Sequence, residues 1–187
     1  KFSPQGEVLL RLGTAGVGGR TRTTLNEPND VLVAPNGDVF VGDGHAANGG
    51  NNRIVKYSSD GRYLMEWGEQ GSNPGEFRTP HALAMDDDGL LYVGDRSNRR
   101  IQKYDSEGNL LKSIIMNVPY DKTAQPVLGN PNPNAPDETA PWTLCISSGE
   151  TQYLFASDEN PGRIYKMTLD GEILGVESGR QRRDLPR

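Results

Sequence analysis

Histidine and cysteine are nearly missing from this chain: its 187 residues hold two histidines, His45 and His81, and one cysteine, Cys145. A single cysteine forms no disulfide within the chain, so cysteine says nothing about the redox compartment. Cys145 sits in an apolar run and reads as a buried small hydrophobe rather than a nucleophile. Long apolar runs are absent, and none approaches the ~20 residues of a membrane-crossing helix, so no membrane partner is expected. An excess of basic charge is absent as well. The net charge of -5 argues against nucleic acid, whose phosphates select basic surfaces. The short basic stretch Gly179 to Arg183 reads as a solvated tail. Lys1 falls inside a repeat with no signal peptide ahead of it, as expected of a mature, trimmed or fragmentary chain.

The chain is rich in turn formers. It has 23 glycines and 13 prolines without collagen period, and the runs between them are apolar, which fits many tight turns rather than disorder. Those turns punctuate a repeat. Arg78 to Ile114 is one copy, and Asn26 to Trp67 and Pro141 to Gly175 lay over it almost residue for residue. Pro28-Asn29, Pro80-His81 and Pro141-Trp142 open the three copies. Asp43, Asp95 and Asp158 follow, then Arg53-Ile54, Arg100-Ile101 and Arg163-Ile164, then Asp60-Gly61, Glu107-Gly108 and Asp170-Gly171. Phe2 to Leu10 matches the tail of a fourth copy.

Self-similarity at roughly 40 to 60 residues predicts propeller blades or another repeat array. The centre copy has four short runs, Ala82 to Met85, Leu90 to Gly94, Arg100 to Tyr104 and Asn109 to Ile114, each bounded by turn formers. Such runs read as strands joined by hairpin turns, and four antiparallel strands make one blade. Three stretches break the regularity. Gly13 to Leu25 has no apolar periodicity and reads as a connector loop. The first copy carries an insertion, His45 to Gly50, between Asp43 and Arg53. Asn117 to Ala140, rich in proline, asparagine and aspartate, is a long excursion of the kind that is often functional or mobile.

Asp43, Asp95 and Asp158 invite a catalytic-carboxylate reading, but recurrence in every copy points to turn caps that accept backbone N–H groups. Arg53, Arg100 and Arg163 recur likewise and read as their structural partners. Trp67 and Trp142 read as packing residues rather than ligand platforms. In a blade the first strand begins, and the second ends, on one face. That puts Asn29, His81 and Trp142 in equivalent positions at a channel mouth, where polar side chains suit a peptide or small-molecule ligand, although from the residues alone Asn29 and His81 read first as satisfying backbone groups at loop starts.

The pattern Pro-x-x-apolar, Gly-x-apolar-apolar-apolar-x-Asp, Asn-Arg-Ile and Asp-Gly resembles the NHL repeat, whose family forms β-propellers, commonly six-bladed. Within it, Val41 to His45, Asn52 to Tyr57, Trp67-Gly68-Glu69, Pro74 to Phe77, Pro80 to Ala84, Asp95-Arg96 and Arg100 to Gln102 look like the peptidyl-α-hydroxyglycine α-amidating lyases, over roughly Asn26 to Tyr104. The resemblance implies a zinc ion held by three histidines, with an arginine and a tyrosine near the substrate. It implies release of an amidated peptide and glyoxylate, and a secreted or periplasmic setting. Carried over, His81 matches one zinc-binding histidine and Arg96 matches the arginine at the same mouth. His45 stands where the animal lyases have tyrosine. The implied catalytic residues are therefore Arg96 and His45, and the implied metal ligand is His81. The other two histidine ligands have no counterpart, so a catalytic zinc, which takes three protein ligands and an open position, has an incomplete site in this sequence.

The expected fold is all-β, an NHL-type propeller of about three and a half four-stranded blades: a half blade over 1–13 and blades over about 26–68, 78–115 and 140–176. The expected function is lyase-like, with a non-catalytic ligand- or protein-binding scaffold as the alternative. An arc of blades leaves apolar end faces and an unpaired edge, so a homodimer through the end blades is expected.

Overall fold

Glycine turns cut the apolar runs into twelve strands among the described residues, which in this computed structural model are 1–45, 49–119, 140–158 and 162–178. Residues 46–48 of the insertion, most of the long excursion and the basic tail lie outside them. The strands form three antiparallel sheets of four, each ordered as it runs in sequence. Blade 1 holds β1 (Pro28–Val33), β2 (Val39–Asp43), β3 (Arg53–Tyr57) and β4 (Tyr63–Trp67). Blade 2 holds β5 (Pro80–Met85), β6 (Leu91–Asp95), β7 (Arg100–Tyr104) and β8 (Leu110–Ile114). Blade 3 holds β9 (Pro141–Ile146), β10 (Leu154–Asp158), β11 (Arg163–Met167) and β12 (Ile173–Ser178). The innermost strands stand side by side, β1 against β5 and β5 against β9, as in a propeller.

The hairpin turns follow from glycine. In the last turn of blades 2 and 3, Gly108 N–H donates to Asp105 O and Gly171 N–H to Thr168 O, at φ of 79° and 87°. Both glycines also touch the blade before them. A Cβ on Gly108 would lie 2.9 Å from the Trp67 ring, and one on Gly171 would lie 2.5 Å from Ile114. Only glycine meets both demands, positive φ and close approach.

Blades pack face to face through two apolar layers. Phe40, Ile54 and Ala34 of blade 1 meet Leu83, Leu91, Val93 and Tyr104 of blade 2, with Phe77 between. Tyr92, Ile101 and Ile114 of blade 2 meet Leu154, Ala156, Tyr165 and Met167 of blade 3. Each fully buried aliphatic or aromatic side chain contributes on the order of 1.5–3 kcal/mol, so these layers dominate the cohesion of the arc.

The repeated aspartates and arginines are buried ion pairs: Arg53 to Asp43 at 2.8 Å, Arg100 to Asp95 at 2.9 Å and Arg163 to Asp158 at 3.1 Å. Each pair also ties its blade to the connector before it. Arg53 donates to Thr21 O and Thr24 O, Arg100 to Ser72 O, Asn73 O and Glu76 O, and Arg163 to Val118 O. In return Asp43 accepts from Asn26 N–H and Asp95 from Arg78 N–H. Thus Gly13 to Leu25, which forms no named strand, is held by carbonyl bonds to a buried guanidinium. Asp95 lies so deep that burial pushes its pKa up, against the pull of the Arg78 amide, Asn98 and Arg100. Its setting is structural, away from solvent.

One residue of the fold departs from expectation. Cys145 is exposed, because it points to the side of β9 that no further blade covers among the described residues. Residues 1–13 make one bridge, Phe2 to Val8, and no named strand.

Candidate functional site

The residue after each opening proline is singled out by a break in register. Pro28 pairs with Asp43 and Asp30 with Gly42; Pro80 pairs with Asp95 and Ala82 with Gly94; Pro141 pairs with Asp158 and Thr143 with Ser157. Asn29, His81 and Trp142 are the extra residues of three equivalent β-bulges. A bulge turns its side chain out of the pleat, and here all three turn toward the end of the arc where β1, β5 and β9 begin.

At that end the three blades are stitched in sequence. Asn29 Nδ2 donates to Gly44 O at 2.8 Å and reaches Pro80 O of blade 2 at 3.4 Å. His81 Nδ1 lies 2.8 Å from Trp142 O of blade 3. A carbonyl only accepts, so Nδ1 carries the proton and Nε2 keeps its lone pair. The His81 pKa is pushed below its ordinary value, first by burial and also by the nearby Arg96 and His45. The Trp142 carbonyl and Asp30 pull the other way.

The structure brings the three sequence-predicted residues together. The rings of His45 and His81 lie 6.5 Å apart, centroid to centroid. Arg96 begins the single 3₁₀ turn after β6, Arg96–Asn98, and its Cζ sits 4.6 Å from the centre of the Trp142 ring. The same ring lies 4.8 Å from the His81 ring. Trp67 is a packing residue, against Phe40 and Tyr104. Trp142 is not: it stays 36% exposed at the mouth, between His81 and Arg96. A tryptophan in an apolar run signals packing, and no residue type announces the bulge that turns this one outward.

No group of three or more His, Cys, Asp or Glu among the described residues could hold a metal. His81 has its Nδ1 committed to the Trp142 carbonyl, which leaves Nε2 as its remaining ring nitrogen. The described residues do not supply a full ligand set.

The fold is that of β-propeller blades, with three bulges lining one end of its inner strands. The family model of the NHL repeat matches residues 77–104. The chain is 44% identical over 113 residues to peptidyl-glycine alpha-amidating monooxygenase A of Xenopus laevis, covering 57% of this chain and 12% of that protein. It is 37% identical over 109 residues to human NHL repeat-containing protein 3, covering 57% and 31%. To the probable peptidyl-alpha-hydroxyglycine alpha-amidating lyase of Caenorhabditis elegans it is 33% identical over 109 residues, covering 55% and 30%. It therefore spans less than a third of the length of each of these relatives. Among solved structures, streptogramin B lyase superposes with a TM-score of 0.53 at 16% identity over 81% of this chain and 40% of that one. The WD40 repeats of RRP9 superpose with 0.56 at 18% over 82% and 39%, and both likenesses show the propeller fold alone. The chain thus carries an NHL-repeat match within a propeller fold, and over about half its length it is similar to amidating-lyase enzymes.

Proposed function

We propose that the mouth binds the carboxylate end of a peptidyl-α-hydroxyglycine and that the propeller works as an amidating lyase. Arg96 carries the reading. Its guanidinium is held over Trp142 beside two imidazoles, and it makes no side-chain hydrogen bond or ion pair among the described residues. A guanidinium so placed suits a carboxylate, which it meets edge-on through paired N–H donors.

In the reaction the bond between the amide nitrogen and the hydroxylated carbon breaks. The hydroxyl carbon becomes the aldehyde of glyoxylate, its O–H proton goes to a base, and the departing nitrogen takes a proton to become the primary amide. His45 is the assigned base, and Arg96 orients the carboxylate against it. His81 would be one ligand of the zinc that such a site implies. No step is assigned to the metal, because the described residues do not complete its coordination.

The test uses the full chain with a peptide ending in α-hydroxyglycine, measuring glyoxylate release, and with the matching amidated peptide, measuring affinity. Glyoxylate release that is lost in Arg96→Ala supports the lyase. Carboxylate-selective binding without glyoxylate favours a binding scaffold. Equal affinity for the acid and the amide overturns the mouth assignment.

A further inference from the structure

The structure assigns Trp142 as the positioning residue of the mouth, fixing Arg96 through its ring and His81 through its carbonyl. The two groups it holds come from blade 2, on either side of the first hairpin, whereas Trp142 opens blade 3. The third bulge therefore reaches back across the blade boundary and sets the other two groups relative to each other.

Three observations converge on this one residue. Its backbone carbonyl is the acceptor for His81 Nδ1 at 2.8 Å, which orients the imidazole about its own axis. Its ring lies 4.8 Å from the His81 ring with 45° between the planes, closing one side of the imidazole to water. Its ring also lies 4.6 Å from Arg96 Cζ, well inside the range of a cation–π contact.

Arg96 has a flexible stem in a short 3₁₀ turn, and this ring is its sole side-chain partner among the described residues. An arginine stem has many rotamers to lose, and a stacking partner that removes them beforehand lowers the cost of binding. With the guanidinium over the indole, its N–H donors make no hydrogen bond or ion pair among the described residues and are left for a ligand. That geometry selects a planar oxyanion such as a carboxylate, and in this respect the assignment rests on the carboxylate reading of the mouth. The hold on Arg96 and His81 does not.

The experiment separates the two. In the ligand-free protein the order parameter of Arg96 Nε and the ring mobility of His81 are followed by NMR, in wild type, Trp142→Leu and Trp142→Phe. Affinity for N-acetylglycine, a small carboxylate probe, is measured on the same samples. Arg96 Nε is expected to be ordered in wild type, mobile in Trp142→Leu, and ordered again in Trp142→Phe. The His81 ring, no longer packed at 4.8 Å against the indole, is expected to gain mobility in Trp142→Leu, and N-acetylglycine binds about tenfold more weakly. If Trp142→Leu moves neither Arg96 nor His81, the assignment is overturned. If both move but wild type does not bind N-acetylglycine, Trp142 keeps its role and the carboxylate reading fails. Should Trp142→Leu not fold, wild type alone decides: an Arg96 Nε as mobile as that of the exposed Arg62 overturns the assignment.

Discussion

His81 gives its Nδ1 proton to the carbonyl of Trp142 at 2.8 Å, a bond from the second blade to the third. Burial holds its pKa below 6.5, and Arg96 and His45 add to the effect. A base whose folded pKa is depressed favours the neutral form in the native state. The stability this contributes is complete above about 6.5 and is lost as pH falls through the folded value. An NMR titration should place the His81 midpoint below that of a histidine in an unfolded peptide, and urea midpoints should fall from pH 7 to pH 5. A midpoint at or above 6.5 would show that the imidazole is not shielded.

Zinc retention follows from the ligand count. A structural or catalytic zinc site takes at least three protein ligands, and the described residues offer no such group. Purified chain, dialysed and analysed by mass spectrometry for metals, should hold well under one zinc per molecule. Stoichiometric zinc that disappears in His81→Ala would refute this and give the lyase reading its metal.

The buried Asp–Arg pairs join each blade to its connector. Arg53→Met leaves Asp43 buried without its cation and Thr21 O and Thr24 O without their donor. Breaking one side of such a pair costs about 3–5 kcal/mol, read from urea denaturation. Arg96→Ala, at the mouth, should cost under ~1 kcal/mol. Equal stabilities of Arg53→Met and wild type would contradict the stapling role.

Two glycines of the same conformation separate backbone strain from blade packing. Gly75 has φ 86° and a Cβ added there would meet nothing within 4 Å, whereas Gly171 has φ 87° with Ile114 at 2.5 Å. Gly75→Ala should cost about 1 kcal/mol, the strain of a left-handed alanine. Gly171→Ala should cost clearly more, and matched losses would mean that the turn does not press on the second blade.

Equivalent isoleucines mark an open face. Ile54 and Ile101 are 0% exposed where a following blade covers them, but Ile164 is 54% exposed. On the opposite side Val31 is 60% exposed, where Leu83 at the same place in blade 2 is 6%. The face of blade 3 is thus of the kind that elsewhere in this chain packs onto the face presented by blade 1. Two copies joined head to tail would cover both, at about 25 cal/mol per Å² of apolar surface. Light scattering should report a dimer at micromolar concentration that Ile164→Asp dissociates; a wild-type monomer there would refute it.

Most of the fold is legible in the sequence because it is written three times. The runs Arg100 to Tyr104 and Ala82 to Met85 fall within β7 and β5, and the recurrence of Asp43, Asp95 and Asp158 marks them as structural without any contact in view. The equivalence of Asn29, His81 and Trp142 is legible for the same reason. Their bulges are not, since asparagine, histidine and tryptophan share no chemistry beyond the preceding proline. Sequence marks Trp142 and Cys145 as buried because hydrophobicity reports a residue's preference, whereas the exposure of Cys145 depends on whether a blade covers that side of β9 and that of Trp142 on the bulge that turns it to the mouth.

The bulges also separate two kinds of selection. The extra residue in each one sits outside the regular pairing that holds the sheet, so its identity is set by what it meets at the mouth and across the blade boundary rather than by the ladder. The ladder pairs on either side do not include asparagine, histidine or tryptophan at these positions. A ring of such positions works like a row of replaceable type set in a fixed frame. New binding chemistry is composed one blade at a time, and repeat duplication supplies blank positions on which it is written.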